Sequence, residues 1–210
     1  MVSLDDLYGL RVSDLQTAVD VLDDAFSDDS QWKEVFKNEE KNRIVTEIMV
    51  RFCLKYGRVV STSEDMEGVM ALAPHNKDMT TWRIIRCGAF FLSMRIAREG
   101  KMMQVLTQAV EEAKKDLDLG PHIHLLIMGV SRAFQGRGFG GQLLRAVIEE
   151  AESQGLPIYL ETQKEANVSL YERFGFAVRR QVTLPEPLNL PMWLMVRDLL
   201  PVRPSELQAG

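Results

Sequence analysis

The sequence predicts a single domain of mixed α/β (α+β) class, and three observations carry that expectation. Four segments repeat apolar residues at helical spacing, seven short runs have the apolar content and turn boundaries of strands, and the two kinds alternate along the chain. The chain has 210 residues, 46% of them hydrophobic and 26% charged, as in an ordinary globular domain rather than a disordered one. One domain over residues 1–200 with a flexible tail over 201–210 accounts for this length.

The elements follow in order. Tyr8–Val12 reads as a first strand, and Ser13 or Asp14 caps a helix lined by Leu15, Ala18, Val19, Leu22, Ala25 and Phe26. Polar Ser27–Gln31 breaks it. A second helix, about Glu39–Lys55, turns Ile44, Val45, Ile48, Met49 and Phe52 inward and stops at Gly57. Arg58–Ser63 and Gly68–Pro74 form a hairpin across Glu64–Glu67. Thr80–Leu119 reads as helical, interrupted at Glu99–Lys101, and amphipathic from Met102 to Leu117. His122–Val130 is a strand covered on both faces, followed by a helix at Gly138–Gln154, a strand at Ile158–Thr162 and a short helix at Ala166–Phe174. Strands near Phe176–Leu184 and Leu190–Val196, joined through Pro185, Pro187 and Pro191, complete the domain.

Charge and cysteine content narrow the function classes. A net charge of -5 speaks against sequence-independent nucleic-acid binding, and no apolar run approaches the roughly 20 residues of a membrane span, so neither nucleic acid nor membrane is an expected partner. The N-terminus has acids in place of a basic signal-peptide region. Cys53 and Cys87 read as reduced, buried thiols of a cytoplasmic protein. With His75, His122 and His124 they do not make a structural zinc site, and no metal is expected.

The most informative stretch is Gln135-Gly136-Arg137-Gly138-Phe139-Gly140-Gly141, between a buried strand and a helix. Glycines allow a tight turn and close backbone approach. The helix start offers free amides and the positive end of its dipole, which suits a phosphate, and Arg137 adds a fork of donors. Gly136-x-Gly138-x-x-Gly141, with Glu161 20 residues on, also matches a dinucleotide-binding fingerprint. Against that reading, five residues, Ser131–Gln135, separate strand from glycine, and the motif comes late in the chain.

Gln135-x-x-Gly138-x-Gly140, the strand ending in Val130, and Asn167-x-x-x-Tyr171-x-x-x-Gly175-Phe176 resemble the GNAT acetyltransferase superfamily. Gly129-Val130-Ser131, Leu160-Glu161-Thr162, Tyr171–Phe176 and the Pro185–Trp193 loop are most similar to its puromycin N-acetyltransferase branch, with Arg132 standing where that branch often has proline. The resemblance implies a mixed, mostly antiparallel twisted sheet whose central strands splay around acetyl-CoA. It implies that backbone groups of Met128 and Val130 pair with the pantetheine arm, that Gln135–Gly141 hold the pyrophosphate, and that Asn167 lies near the arm; asparagine at that place also suits a helix cap. It places Tyr171 beside the coenzyme sulfur. A phenol near pKa 10 is a hydrogen-bond donor to a developing thiolate rather than a full acid toward it.

The resemblance also implies a base six residues before Val130, which is His124; His122 lies on the same side of the strand, and Glu161 is the second candidate. An amine of pKa about 10.4 must lose a proton before attack, and imidazole titrates in the right range. The acids Asp23, Asp24, Asp28 and Asp29 would border the acceptor pocket, shaped by residues 76–119. The expected activity is acetyl transfer from acetyl-CoA to a small-molecule or peptide primary amine by direct attack in a ternary complex. A homodimer is left open. The alternatives are a non-catalytic coenzyme A-binding regulatory domain and an NAD-binding oxidoreductase.

Overall fold

A computed structural model describes residues 3–29, 33, 38–186 and 188–199; the tail over 201–210, Pro187 and part of the Ser27–Gln31 break lie outside the described residues. Strand β1 is Tyr8–Gly9, shorter than expected because Val12–Asp14 winds into a 3₁₀ turn. Helix α1 is Leu15–Phe26, and α2 is Glu39–Tyr56, capped by the Asn38 side chain on the Lys41 amide. Strands β2 (Arg58–Ser61) and β3 (Gly68–Pro74) form the hairpin. The 80–119 region is three helices, α3 (Thr81–Arg86), α4 (Phe90–Arg95) and α5 (Gly100–Lys115). The expected break is therefore joined by a second one at Cys87–Ala89, where Gly88 takes a positive φ. Then come β4 (Ile123–Val130), α6 (Phe139–Gln154), β5 (Ile158–Thr162), α7 (Glu165–Glu172), β6 (Ala177–Thr183) and β7 (Pro191–Arg197).

The strands make one sheet in the order β1-β2-β3-β4-β5-β7-β6, and of its six pairings only β4 with β5 is parallel. A dinucleotide-binding domain needs a mostly parallel sheet, so this topology rules out the oxidoreductase reading. Helices α1 and α2 cover one face, with Val19, Leu22, Phe52, Val59, Ala71 and Ile127 in contact. Helices α6 and α7 cover the other, where Leu143, Leu144, Val147 and Tyr171 meet Val60, Met70, Leu125, Leu160 and Met195.

Two local features position the site. First, β4 and β5 pair only at Ile123↔Ile158 and His124↔Tyr159 and then part. Second, the β3–β4 register slips between Ala71↔Ile127 and Leu72↔Leu125, leaving Leu126 as an extra residue, a bulge. Strand residues two apart normally share a face. Here Leu125 packs under α6 while Ile127 packs under α1 and α2. His124 therefore faces the α2 side, whereas Met128 and Val130 turn their side chains to the α6 side. Gly57 ends α2 as expected but for another reason. Its φ is -123°, and a Cβ there would collide with the Leu72 carbonyl oxygen, so close backbone approach demands the glycine.

Candidate active site

Where β4 and β5 part, a cavity of about 680 Å³ opens through the sheet. Its lining includes Asn167 and Tyr171 from the α6–α7 side and His124, Glu161, Glu111 and Lys114 from the α5 side. The lining also includes apolar side chains of α1 and α2, Phe26, Val45, Met49 and Phe52, and Leu106 and Val110 of α5.

The two base candidates are partners. His124 Nε2 lies 2.9 Å from Glu161 Oε2, and both side chains are mostly buried. Burial pushes the Glu161 carboxyl up. The charge and hydrogen bond of His124, with help from Tyr159 and Lys114, outweigh burial and hold it below the usual carboxylate range. An ionised carboxylate only accepts, so Nε2 carries a hydrogen in this pair and Nδ1 is the ring nitrogen left for other contacts. Tyr159 packs 5.0 Å from the His124 ring, centroid to centroid, and Lys114 Nζ sits 4.8 Å over the Tyr159 ring. The Tyr159 hydroxyl is buried without a partner of good hydrogen-bond geometry, and burial drives its pKa far up. His122 is a separate matter. It is buried, its Nδ1 donates to the Gly120 carbonyl at 2.8 Å, and burial lowers its pKa to about 4. It stays neutral and lines no part of the cavity.

On the opposite face, Tyr171 is buried against Phe176, and burial raises its pKa to about 12. Asn167 does not cap its helix. Lys164 holds that position, and the Asn167 amide group instead donates to Thr162 Oγ1 at 3.4 Å. Met128 and Val130 sit beyond the fork. Ser131 donates its amide to Glu67 of the β3 side, and strand alternation then turns the backbone groups of Met128 and Val130 away from β3, toward the gap left by β5.

The glycine loop starts α6. Gly136 and Gly138 have φ of 77° and 91°, so only glycine sits there without strain. From Gly136 to Gly141 the backbone amides make no hydrogen bond to the described residues, which leaves six consecutive donors at a helix start. Gln135 departs from its expected place in that set. Its amide donates to Arg132, and its side chain folds back onto the Val130 carbonyl at 3.0 Å. Arg137 is exposed, with its guanidinium 5.5 Å over the Phe134 ring.

The acidic cluster is mostly elsewhere. Asp24 accepts from Ser131 Oγ at 2.7 Å and from the Arg132 amide and Nε at 2.8 and 2.9 Å, and Asp28 joins at 3.3 Å. Asp23 faces Arg43 at 3.7 Å. Only Asp29 of the four lines the cavity. Cys53 is fully buried, its thiol pushed up to about 12, while Cys87 is half-buried, less than its apolar surroundings suggest; neither reaches the cavity. Sequence reasoning missed Tyr159, Glu111 and Lys114. The first reads as core in an apolar run, and the other two as solvated helix charges until α5 packs across the sheet.

A model of the acetyltransferase (GNAT) family matches residues 89–176, which include the fork, the glycine loop and Tyr171. An uncharacterized N-acetyltransferase of Schizosaccharomyces pombe is 24% identical over 209 residues, covering 90% of this chain and 81% of the relative. Among solved structures, a histone acetyltransferase HPA2 and related acetyltransferase from Corynebacterium glutamicum superposes with a TM-score of 0.59 at 18% identity, covering 94% of this chain and 98% of its own. A putative arylalkylamine N-acetyltransferase of the mosquito Aedes aegypti reaches 0.61 at 15% identity, covering 90% and 84%. Family match, fold and relative agree, and this protein is an enzyme similar in sequence and fold to the acetyltransferase (GNAT) family.

Proposed function

We propose that the protein moves an acetyl group from acetyl-CoA to a primary amine on an apolar body, by direct attack within a ternary complex. The observation that carries this reading is the fork. Two parallel strands pair over two residues and part around a cavity that reaches both faces of the sheet. The donor set fits a coenzyme. Six free amides and Arg137 suit a pyrophosphate, and the outward backbone groups of Met128 and Val130 suit the amides of a pantetheine arm, with Asn167 beside it. Acetyl-CoA supplies the activated thioester.

The residues at the fork divide the remaining tasks. His124, oriented by Glu161, accepts the proton that the amine must lose, directly or through water, and the carboxylate stabilises the imidazolium that results. Tyr171 stays protonated at neutral pH. With its pKa near 12, transfer of its proton to a thiolate of ordinary pKa near 8.5 is uphill by about 5 kcal/mol. It therefore serves as a hydrogen-bond donor to sulfur as charge develops there. The apolar wall of Phe26, Val45, Met49 and Phe52 favours an acceptor with hydrocarbon or aromatic bulk over a polyamine or a bare amino acid. The likeness of Tyr171–Phe176 and the Pro185–Trp193 loop to the puromycin N-acetyltransferase branch supports the same class of acceptor.

A thermal-shift titration with acetyl-CoA and NAD, followed by thiol release with a panel of amines, tests the reading. A hundredfold excess of ligand over Kd adds about 2.7 kcal/mol, or about 5–10 °C for a chain of this size. Acetyl-CoA is expected to shift melting and NAD to leave it unchanged. Gly138→Asp puts a charged side chain at a positive φ among the six amides and should abolish the shift. An undiminished shift in that variant overturns the pyrophosphate assignment.

A further inference from the structure

The eighteen residues Thr81–Arg98 hold four arginines, Arg83, Arg86, Arg95 and Arg98, and no acid, in a chain of net charge -5. The same stretch holds Trp82, Phe90, Phe91 and Met94, which are 65%, 42%, 78% and 58% exposed. Six of the ten large apolar side chains exposed among the described residues lie between Met79 and Met94. They are not a misfit of the core, because the inner side of α3 and α4 is already filled. Ile84, Cys87, Ala89, Leu92 and Ile96 pack there on Ile44, Val45 and Ile48 of α2. Arg83 reaches the Asp78 carbonyl and Arg95 pairs with Glu40, while Arg86 and Arg98 make no ion pair among the described residues.

We propose that this face docks the enzyme on an anionic lipid surface. Aromatic and methionine side chains would enter the boundary between headgroups and acyl chains, and the arginines would meet phosphates. Charge selects this occupant over a second copy of the chain, since two such faces together would set arginines against arginines. Shape points the same way. Trp82, Phe90, Phe91 and Met94 line neither the fork cavity nor the smaller one beside β7; they protrude. A folded partner must offer a matching pocket for each, whereas a fluid interface accommodates them without one. The overall charge of -5 averages over this local excess, and the absence of a run long enough to span a membrane does not bear on docking at its surface. The face also adjoins the site. Met79 and Thr80 line the fork cavity immediately before α3, so docking would bring its rim to the interface where an amine with an apolar body collects. That last step rests on the acceptor reading above; the docking does not.

Co-sedimentation of the full chain with vesicles tests it. The protein is expected to sediment with vesicles of phosphatidylcholine and phosphatidylserine, to stay in solution with phosphatidylcholine alone, and to be released by salt. Trp82→Ala with Phe91→Ala, and separately Arg86→Glu with Arg98→Glu, should each lower vesicle partition about tenfold or more. Both variants should keep the wild-type melting temperature and its acetyl-CoA shift, which separates this proposal from the catalytic one. Wild-type protein that stays in solution with phosphatidylserine vesicles overturns it. So does sedimentation velocity that shows a dimer lost in Trp82→Ala with Phe91→Ala, with no vesicle binding.

Discussion

His124 and Glu161 stand on different strands and read from the sequence as rival bases, yet they share one hydrogen bond. Their variants should therefore behave alike in kind and differ in degree. His124→Ala removes the proposed proton acceptor and is expected to lower kcat/KM about a hundredfold or more and to flatten the acidic limb of the pH–rate profile. Glu161→Gln keeps the imidazole but withdraws the charge that steadies its protonated form, so a smaller loss with the limb retained is expected. A profile unchanged in both variants would hand the proton to water. Tyr171→Phe keeps the packing against Phe176 and deletes only the hydroxyl. Turnover should fall about tenfold or more while KM for acetyl-CoA stays put; a raised KM with unchanged kcat would make Tyr171 a binding residue instead.

Between elements, the clamp from α1 to the end of β4 deserves the closest test. Arg132 replaces a proline common in the resembled branch, and the rigidity a proline would supply comes instead from Asp24, which holds Ser131 and Arg132 through three hydrogen bonds. The Ser131 hydroxyl and the Arg132 amide, followed by its guanidinium, keep the Asp24 carboxyl below the usual range. Its folded pKa is below its unfolded one, so its contribution is complete above pH about 4 and is lost as pH falls through the folded value. Asp24→Asn should thus be less stable than wild type at neutral pH and converge with it in acid, read as urea midpoints along a pH series. Convergence absent, with a constant gap at every pH, would mean the carboxylate's charge contributes nothing to the clamp.

Over the whole molecule, His122 couples folding to pH through burial. Burial lowers its pKa from 6.5 to about 4; the Gly120 carbonyl opposes this, while the charges of Lys114, His124 and His75 add to it. Between those values the unfolded chain binds a proton that the folded chain refuses. Stability contributed by the neutral ring is therefore complete above pH 6.5 and declines as pH drops toward 4. His122→Asn cannot take up that proton, so its melting temperature should fall less steeply across this window. Equal slopes would assign the acid sensitivity to other groups.

Local chemistry made much of this legible in one dimension. Helical periodicity located α1, α2, α5 and α6, apolar runs bounded by glycine and proline located the strands, and glycine spacing marked the turn before α6, because each depends on residues close in sequence. The mixed sheet and its splay entered through the likeness to a family. What only the tertiary structure decided is which distant groups meet. The bulge at Leu126 puts His124 on the face opposite the side chains of Met128 and Val130, although even spacing along a strand predicts one face. The pairing of His124 with Glu161, the diversion of Asp24 to Arg132, and the exposure of Trp82 and Phe91 follow from the same cause. Register and packing set by long-range burial choose each side chain's neighbours, and no window of the sequence contains both partners.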